Sequence, residues 1–382
     1  MRSFFKILCK AFLFIIFIFL FSFSVAAEEK DELIPSEAWE GFAQSVPEEA
    51  ERYFDGEAFE NEESFSLAVE KMTTPSAIAS VLIELFGVEA RATCDLLLLL
   101  LGVVLISAVI SAVAEQSENR TFCAVMRFCS LGAIFSSSGY IFYSHFERLE
   151  EFFSRIALLV NGMIPVTASI WALGGNVTTA TAGSTTLYCF LTVFEKLWAA
   201  SALPIFALLL MLGFCDVLCS ELKTGRVVGT LKKIYGFFLG LSMTVLLSSL
   251  AAQTTLTSVA DSVTARAGRL VSSTVIPIVG GNLGEALRTV ASSVRYLKSI
   301  FGIGGIIIIA LLVLPMAISL LLTRFVFGVS STFADILGCE QESKLLSSFS
   351  DAYGCILAVV CGVGMMFVLS LCIFMKTLIA AE

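Results

Sequence analysis

FGIGGIIIIALLVLPMAISLLL, residues 301–322, runs for 22 residues without a charge. A helix rises 1.5 Å per residue, so this stretch reaches about 33 Å, close to the roughly 30 Å hydrocarbon thickness of a bilayer. Three more charge-free apolar runs, 96–114, 234–252 and 354–375, repeat the pattern. The runs at 128–143, 156–173 and 197–219 are apolar as well; Arg127 sits at the edge of the first, and Asp216 is the one charge in the last. The fold read from these runs is all-α: a polytopic helical membrane protein with about six to eight transmembrane helices.

Composition agrees. Of 382 residues, 57% are hydrophobic and 15% charged, with a mean hydropathy of +0.90. Soluble domains carry about a quarter of charged residues. A soluble enzyme, a disordered chain and a nucleic-acid binder are excluded, and the lipid bilayer is the expected solvent. The net charge of -9 is local. Residues 28–71 hold 15 acids against Lys30, Arg52 and Lys71, whereas 72–382 is neutral.

The chain divides into three parts. Arg2, Lys6 and Lys10, the apolar run Ala11 to Val25, and Val25-Ala26-Ala27 read as a signal peptide over 1–27. An uncleaved first helix fits the same residues. Residues 28–75 read as an acidic extracytoplasmic leader. It is too small and too acidic for a core of its own, so it reads as a solvated segment or, given Trp39, Phe42, Phe54 and Phe65, as a docking segment. Residues 76–382 read as a multi-pass membrane domain. Within it, 76–93 reads as an amphipathic surface helix preceding the first span, because Ser76, Ser80, Glu84, Gly87 and Arg91 recur at spacings of four and three.

An internal repeat is centred near 155–176 and 266–282. LLVNGMIPV (158–166) and LVSSTVIPI (270–278) each carry Ile-Pro and are each followed by Gly-Gly-Asn: Gly174, Gly175, Asn176 and Gly280, Gly281, Asn282. Proline removes a backbone donor and paired glycines break helices. Broken segments at membrane depth must be buried in protein or line a cavity, and paired breaks mark pathways in transporters. Asn161, Pro165, Gly174, Gly175, Asn176, Pro277, Gly280, Gly281 and Asn282 are therefore candidate pivot or pore-lining residues; a simple kink or interfacial turn fits them too. The helix after the second break is amphipathic and reads as a surface helix or as a partner contact. Six spans with two broken segments place the basic loop 220–233 in the cytoplasm and the loop 253–300 outside, although the latter's five basic residues oppose that placement.

The chemistry is sparse. The one histidine is His145, and there is no P-loop, HExxH or GxSxG. No catalytic, cofactor or metal site is expected, and the eleven cysteines, with no CxxC among them, read as small packing residues. Ionisable residues are nearly absent from the spans, which argues against self-powered coupled transport.

The stretch VADSVTARAGRLVSSTVIPIVGGNLGEAL (259–287) and the segment GGNVTTATAGSTT (174–186) resemble the stage III sporulation protein AE family. The resemblance implies a non-enzymatic multi-pass subunit of a mother cell-to-forespore, secretion-like transenvelope channel required for spore formation. It implies a place in the mother-cell membrane around the forespore. It also implies partners: other stage III sporulation membrane proteins, including a secretion-type ATPase and ring-forming subunits. Self-association is compatible with the sequence, and no cofactor or nucleic acid is implied. The alternative reading is a stand-alone permease for a small solute.

Overall fold

A computed structural model describes residues 34–54, 57–115, 120–173, 184–218, 225–246, 248 and 280–376. The signal region 1–27, Gly174, Gly175, Asn176 and Pro277 lie outside the described residues. Three short helices, α1 (Ser36–Ala43), α2 (Glu48–Glu51) and α3 (Glu62–Met72), precede six long ones. These are α4 (Pro75–Glu115), α5 (Arg120–Leu173), α6 (Ser184–Leu218), α7 (225–246), α8 (Gly280–Ile336) and α9 (Glu340–Lys376). Parts of α4, α5, α6, α8 and α9, five helices among the described residues, are long and apolar enough to cross a membrane.

The long helices alternate in direction. Glu89 pairs with Arg148, and Ser107 and Ser130 meet on one carboxylate; the two levels are eighteen residues apart on both α4 and α5, so the two helices run antiparallel in register. Ser350 donates to the Arg324 carbonyl and Ser331 to the Ser343 carbonyl, seven residues on along each helix, which fixes α8 antiparallel to α9. Ser201 bonds Tyr235 and the Gly225 amide bonds Asp216, so α6 and α7 form the third hairpin. The described ends 115 and 120, 218 and 225, and the 337–339 turn therefore share one end of the bundle. The α8–α9 turn closes as a Schellman cap: Gly338 takes a φ of 78°, its N–H donates to Asp335, and the Cys339 N–H donates to Ala334.

Of the two loops expected from sequence, 225–233 belongs to α7 and 280–300 to α8; residues 220–224 and 253–279 lie outside the described residues. Two expectations about element boundaries change. The 76–93 stretch is not a separate surface helix but the first half of α4. Its reason is a stripe of inward residues that crosses the supposed boundary without slipping: Leu85, Glu89, Thr93, Leu96, Leu100, Val104 and Ser107, at spacings of four and three. In the same way 128–143 and 156–173 are parts of one helix, α5. At 54 residues it is about 81 Å long, well beyond one bilayer, so part of it stands in the aqueous or headgroup zone.

The acidic leader is folded onto the bundle. Pro35 and Pro47 precede α1 and α2, and the Asn61 side chain caps α3 by accepting from the Ser64 amide at 2.8 Å. Trp39, Phe42 and Phe65 gather on Phe301 of α8, with ring centroids 6.3, 4.6 and 6.0 Å away. The Trp39 indole N–H donates to the Phe59 carbonyl at 2.9 Å. Phe42 and Phe65 are fully buried. The leader's aromatic rings pack on one another and complete their cluster on Phe301 of α8. Two glycines make room for it. A Cβ on Gly162 of α5 would overlap Ser45, and one on Gly304 of α8 would overlap Phe65 and stand 2.9 Å from Val69 Cγ2. Arg155 of α5 pairs with Glu49 at the rim. Since α5, α8 and the leader meet here, the leader lies at the end opposite the three hairpin ends.

Candidate functional site

Two polar layers cross the interior of the bundle. The first joins α4, α5, α8 and α9. Arg148 forks onto Glu89, with Nη2 to Oε1 at 2.5 Å and Nη1 to Oε2 at 3.2 Å, and its Nη1 also donates to Ser319 Oγ at 2.8 Å. His145, 1% exposed, stands behind them. Its Nε2 lies 3.2 Å from Ser319 Oγ, and its Nδ1 is 2.8 Å from the Ile141 carbonyl and 3.2 Å from the Tyr353 hydroxyl. In the tautomer that donates from Nδ1 to Ile141, Nε2 accepts the Ser319 hydroxyl. Aromatic rings seal this layer on the turn side: Phe142, Phe327 and Phe349 stack about Tyr353, with Phe206 of α6 on its far edge.

The second layer is about 27 Å further toward the turns, taking the eighteen-residue step along α4 at the helical rise. There Glu342 of α9, 3% exposed, accepts from Ser107 of α4 and Ser130 of α5 through one oxygen, Oε1, at 2.6 Å each. Ser331 and Ser343, both buried, bond each other beside it. Ser107 and Ser130 belong to the apolar runs of α4 and α5, whose outer faces at this level present Leu105, Ile106, Val109 and Phe128.

The expectation concerned the apolar runs, and the ionisable groups of these layers come from beside those runs rather than from within them. Glu89, His145 and Arg148 lie between apolar runs in sequence, and Glu342 lies before one. The α8–α9 hairpin is displaced along the bundle relative to α4–α5, so the ends of one hairpin's runs meet the middle of the other's. The signal for His145 was present: it continues the α5 stripe Leu131, Ile134, Ser138, Phe142, Leu149 at spacings of three and four. Glu89 likewise lies on the inward stripe of α4, off the polar stripe read from Ser76 to Arg91. No signal in the sequence singled out Glu342, which depends on the long-range packing of α9.

The pivot candidates are placed differently from one another. Asn161 and Pro165 are one turn apart and exposed on α5, beside Gly162 where the leader crosses. The helix passes through Pro165 and is described as far as Leu173, so the chain is not broken at this proline. Gly280, Gly281 and Asn282 open α8. Among the described residues, neither Asn161 nor Pro165 belongs to the polar layers.

Comparison with known proteins bears on what such a bundle belongs to. A family model described as stage III sporulation protein AE matches residues 62–377, from the start of α3 to the end of α9. The chain is also similar to the stage III sporulation protein AE of Bacillus subtilis (strain 168), with 23% identity over 221 residues. That alignment spans 58% of this chain and 55% of the relative, about half the relative's length. No solved structure matches. With the family match extending across every long helix of the bundle, the chain belongs to the stage III sporulation protein AE family.

Proposed function

We propose that the chain, which its family places in sporulation, is a non-enzymatic multi-pass subunit of a mother cell-to-forespore transenvelope channel. Its partners would be other stage III sporulation membrane proteins, a secretion-type ATPase that supplies the energy, and ring-forming subunits. The family match over 62–377 carries this reading. The two-ended architecture fits it. One end presents the three hairpin ends, with Arg226 at the start of α7, as expected of a cytoplasmic face. The other end holds the folded acidic leader, where proteins of the intermembrane space would meet it. Asn161 and Pro165, beside the leader, and Gly280, Gly281 and Asn282, at the start of α8, are proposed as pivots at that end, together with Gly174, Gly175, Asn176 and Pro277.

The test is crosslinking in sporulating cells followed by affinity purification of the full chain. Recovery with a secretion-type ATPase and a ring-forming protein is expected, together with a block in late forespore gene expression on deletion. Recovery of the chain alone would count against the reading. A stand-alone permease is the second reading, and the buried His145 and Glu342 with the partly buried Glu89–Arg148 pair favour it. Solute flux through liposomes containing only this chain would support it and weaken the first.

A further inference from the structure

The outer faces of α4 and α5 carry exposed apolar residues along most of their length. On α4 they extend from Ile83 through Phe86, Leu98 and Ile106 to Val113, about 45 Å at the helical rise. A bilayer core covers about 30 Å, so lipid can take only part of this face. Exposed charge also interrupts it: Arg91 on α4, and Glu147 and Glu150 on α5. None of these three makes an ion pair among the described residues. The neighbouring Arg148 is taken by Glu89, and Arg155 by Glu49 and Glu151.

The two faces match each other height by height. The register is fixed by Glu89 with Arg148 and by Ser107 with Ser130. In it Arg91 stands level with Phe146, one step from Glu147, and Glu150 lies less than a turn further on. Val109 stands level with Phe128, and Val113 stands one step from Val125; all four are exposed. Leu98 and Tyr140, both exposed, are also one step apart in height. At mid-length α4 has Gly102, where an added Cβ would meet nothing within 4 Å. The α5 side there has Ala133 and Ser136, small and outside the core. Small residues let helix backbones approach closely.

Equal height is what a second copy requires. Copies inserted in one direction are related by an axis along the bilayer normal, and that axis preserves the height of every residue. A two-fold pair is self-complementary: if one residue meets a second, the second meets the first. We propose that the α4–α5 hairpin is a homodimer interface, forming an antiparallel four-helix bundle with the same hairpin of a second copy. The α4 helix of each protomer lies on α5 of the other. Arg91 of each then meets Glu147 and Glu150 of the other, so the exposed charges are matched twice. The apolar residues at equal heights close over one another on the leader-distal side of these charges. The complementarity lies in this hairpin's own spacing, which is why the occupant is a second copy rather than an unrelated chain.

The experiment is disulfide crosslinking of the full chain in membranes, in a form whose native cysteines are replaced by serine. Two differently tagged copies, one with Arg91→Cys and one with Glu147→Cys, are produced together and oxidised with copper phenanthroline. A covalent pair carrying both tags is expected. Arg91→Cys with Val125→Cys, about 30 Å apart in height, should give none. Arg91→Cys joining itself in preference to Glu147→Cys would mean that α4 packs on α4, and would overturn the arrangement. So would the absence of any dimer, which would leave the face to lipid, or a crosslink formed only with a different protein of the cell. Charge exchange adds a second arm, and because these positions are exposed it leaves the fold intact. Arg91→Glu should weaken the dimer about tenfold or more, read by energy transfer between labelled wild-type-length copies in liposomes as their density is varied. Adding Glu147→Arg to the same chain should recover most of that loss; no loss, or a loss without recovery, would overturn the pairing. A monomeric result leaves the channel-subunit reading standing, because that reading is tested by the other proteins recovered with the chain.

Discussion

Arg148 and Glu89 form a two-pronged ion pair, at 2.5 and 3.2 Å, that joins α5 to α4 within reach of His145. The Glu89 side chain is 13% exposed and that of Arg148 36%, so the acid is the more committed partner. Glu89→Ala strands the guanidinium beside Ser319 and is expected to cost about 2–3 kcal/mol. Glu89→Gln keeps a hydrogen bond and loses the charge, so it should cost less. Thermal melts of the purified variants in one detergent check the order. Equal Tm values for wild type, Gln and Ala would show that the pair contributes nothing to the fold.

Leader docking makes a separate prediction about Phe42 and Gly304. Phe42 is fully buried against Phe301, and its truncation to Ala should cost about 3–5 kcal/mol of leader packing. Gly304→Val should displace Phe65 by steric overlap alone. Both variants are expected to open Arg52 and Lys71 to trypsin while cleavage in the long helices stays unchanged. Wild-type resistance at those two sites in either variant would contradict the packing described.

How much of this was legible in sequence follows the range of each interaction. The apolar runs and the helical class were legible because they are local properties of 16 to 23 consecutive residues. Boundaries were less so. Ser76 to Arg91 does form a polar stripe, yet the inward stripe through Leu85, Thr93 and Leu96 outlasts it and carries one helix from Pro75 to Glu115. The leader's aromatic residues signalled docking, but their acceptor, Phe301, is more than two hundred residues away. The polar layers were hidden for the same reason. Each takes groups from hairpins whose apolar runs are offset along the bundle, and that offset is a product of packing.

The alternating directions of α4 to α9 predict which loops share a side. In a chain with its native cysteines replaced by serine, Arg226→Cys and Leu337→Cys should react with a membrane-impermeant maleimide from one side, and Glu40→Cys and Arg52→Cys from the other. A split between Arg226 and Leu337 would break the hairpin order, and a shared side for all four would remove the crossings.

Pro165 separates a structural role from a functional one. It lies on the exposed face of α5, and its missing N–H leaves the Asn161 carbonyl without an intrahelical donor. The helix continues through it, with Ser169 Oγ donating back to the Pro165 carbonyl at 2.9 Å. Pro165→Ala restores the donor and the helix propensity, and proline in a helix interior stands about 3 kcal/mol below alanine on that scale. Part of that difference should be recovered, so Tm is expected to rise. If Pro165 is only a tolerated kink, sporulation is unchanged or improved as Tm rises. If it is a pivot at the leader end, spore yield falls although the protein is more stable and equally abundant. Heat-resistant spore counts, taken with Tm and membrane abundance in the same strains, distinguish the two. A fall in Tm would instead mean that the proline fits this helix better than alanine does, and that the described geometry at Asn161 is wrong.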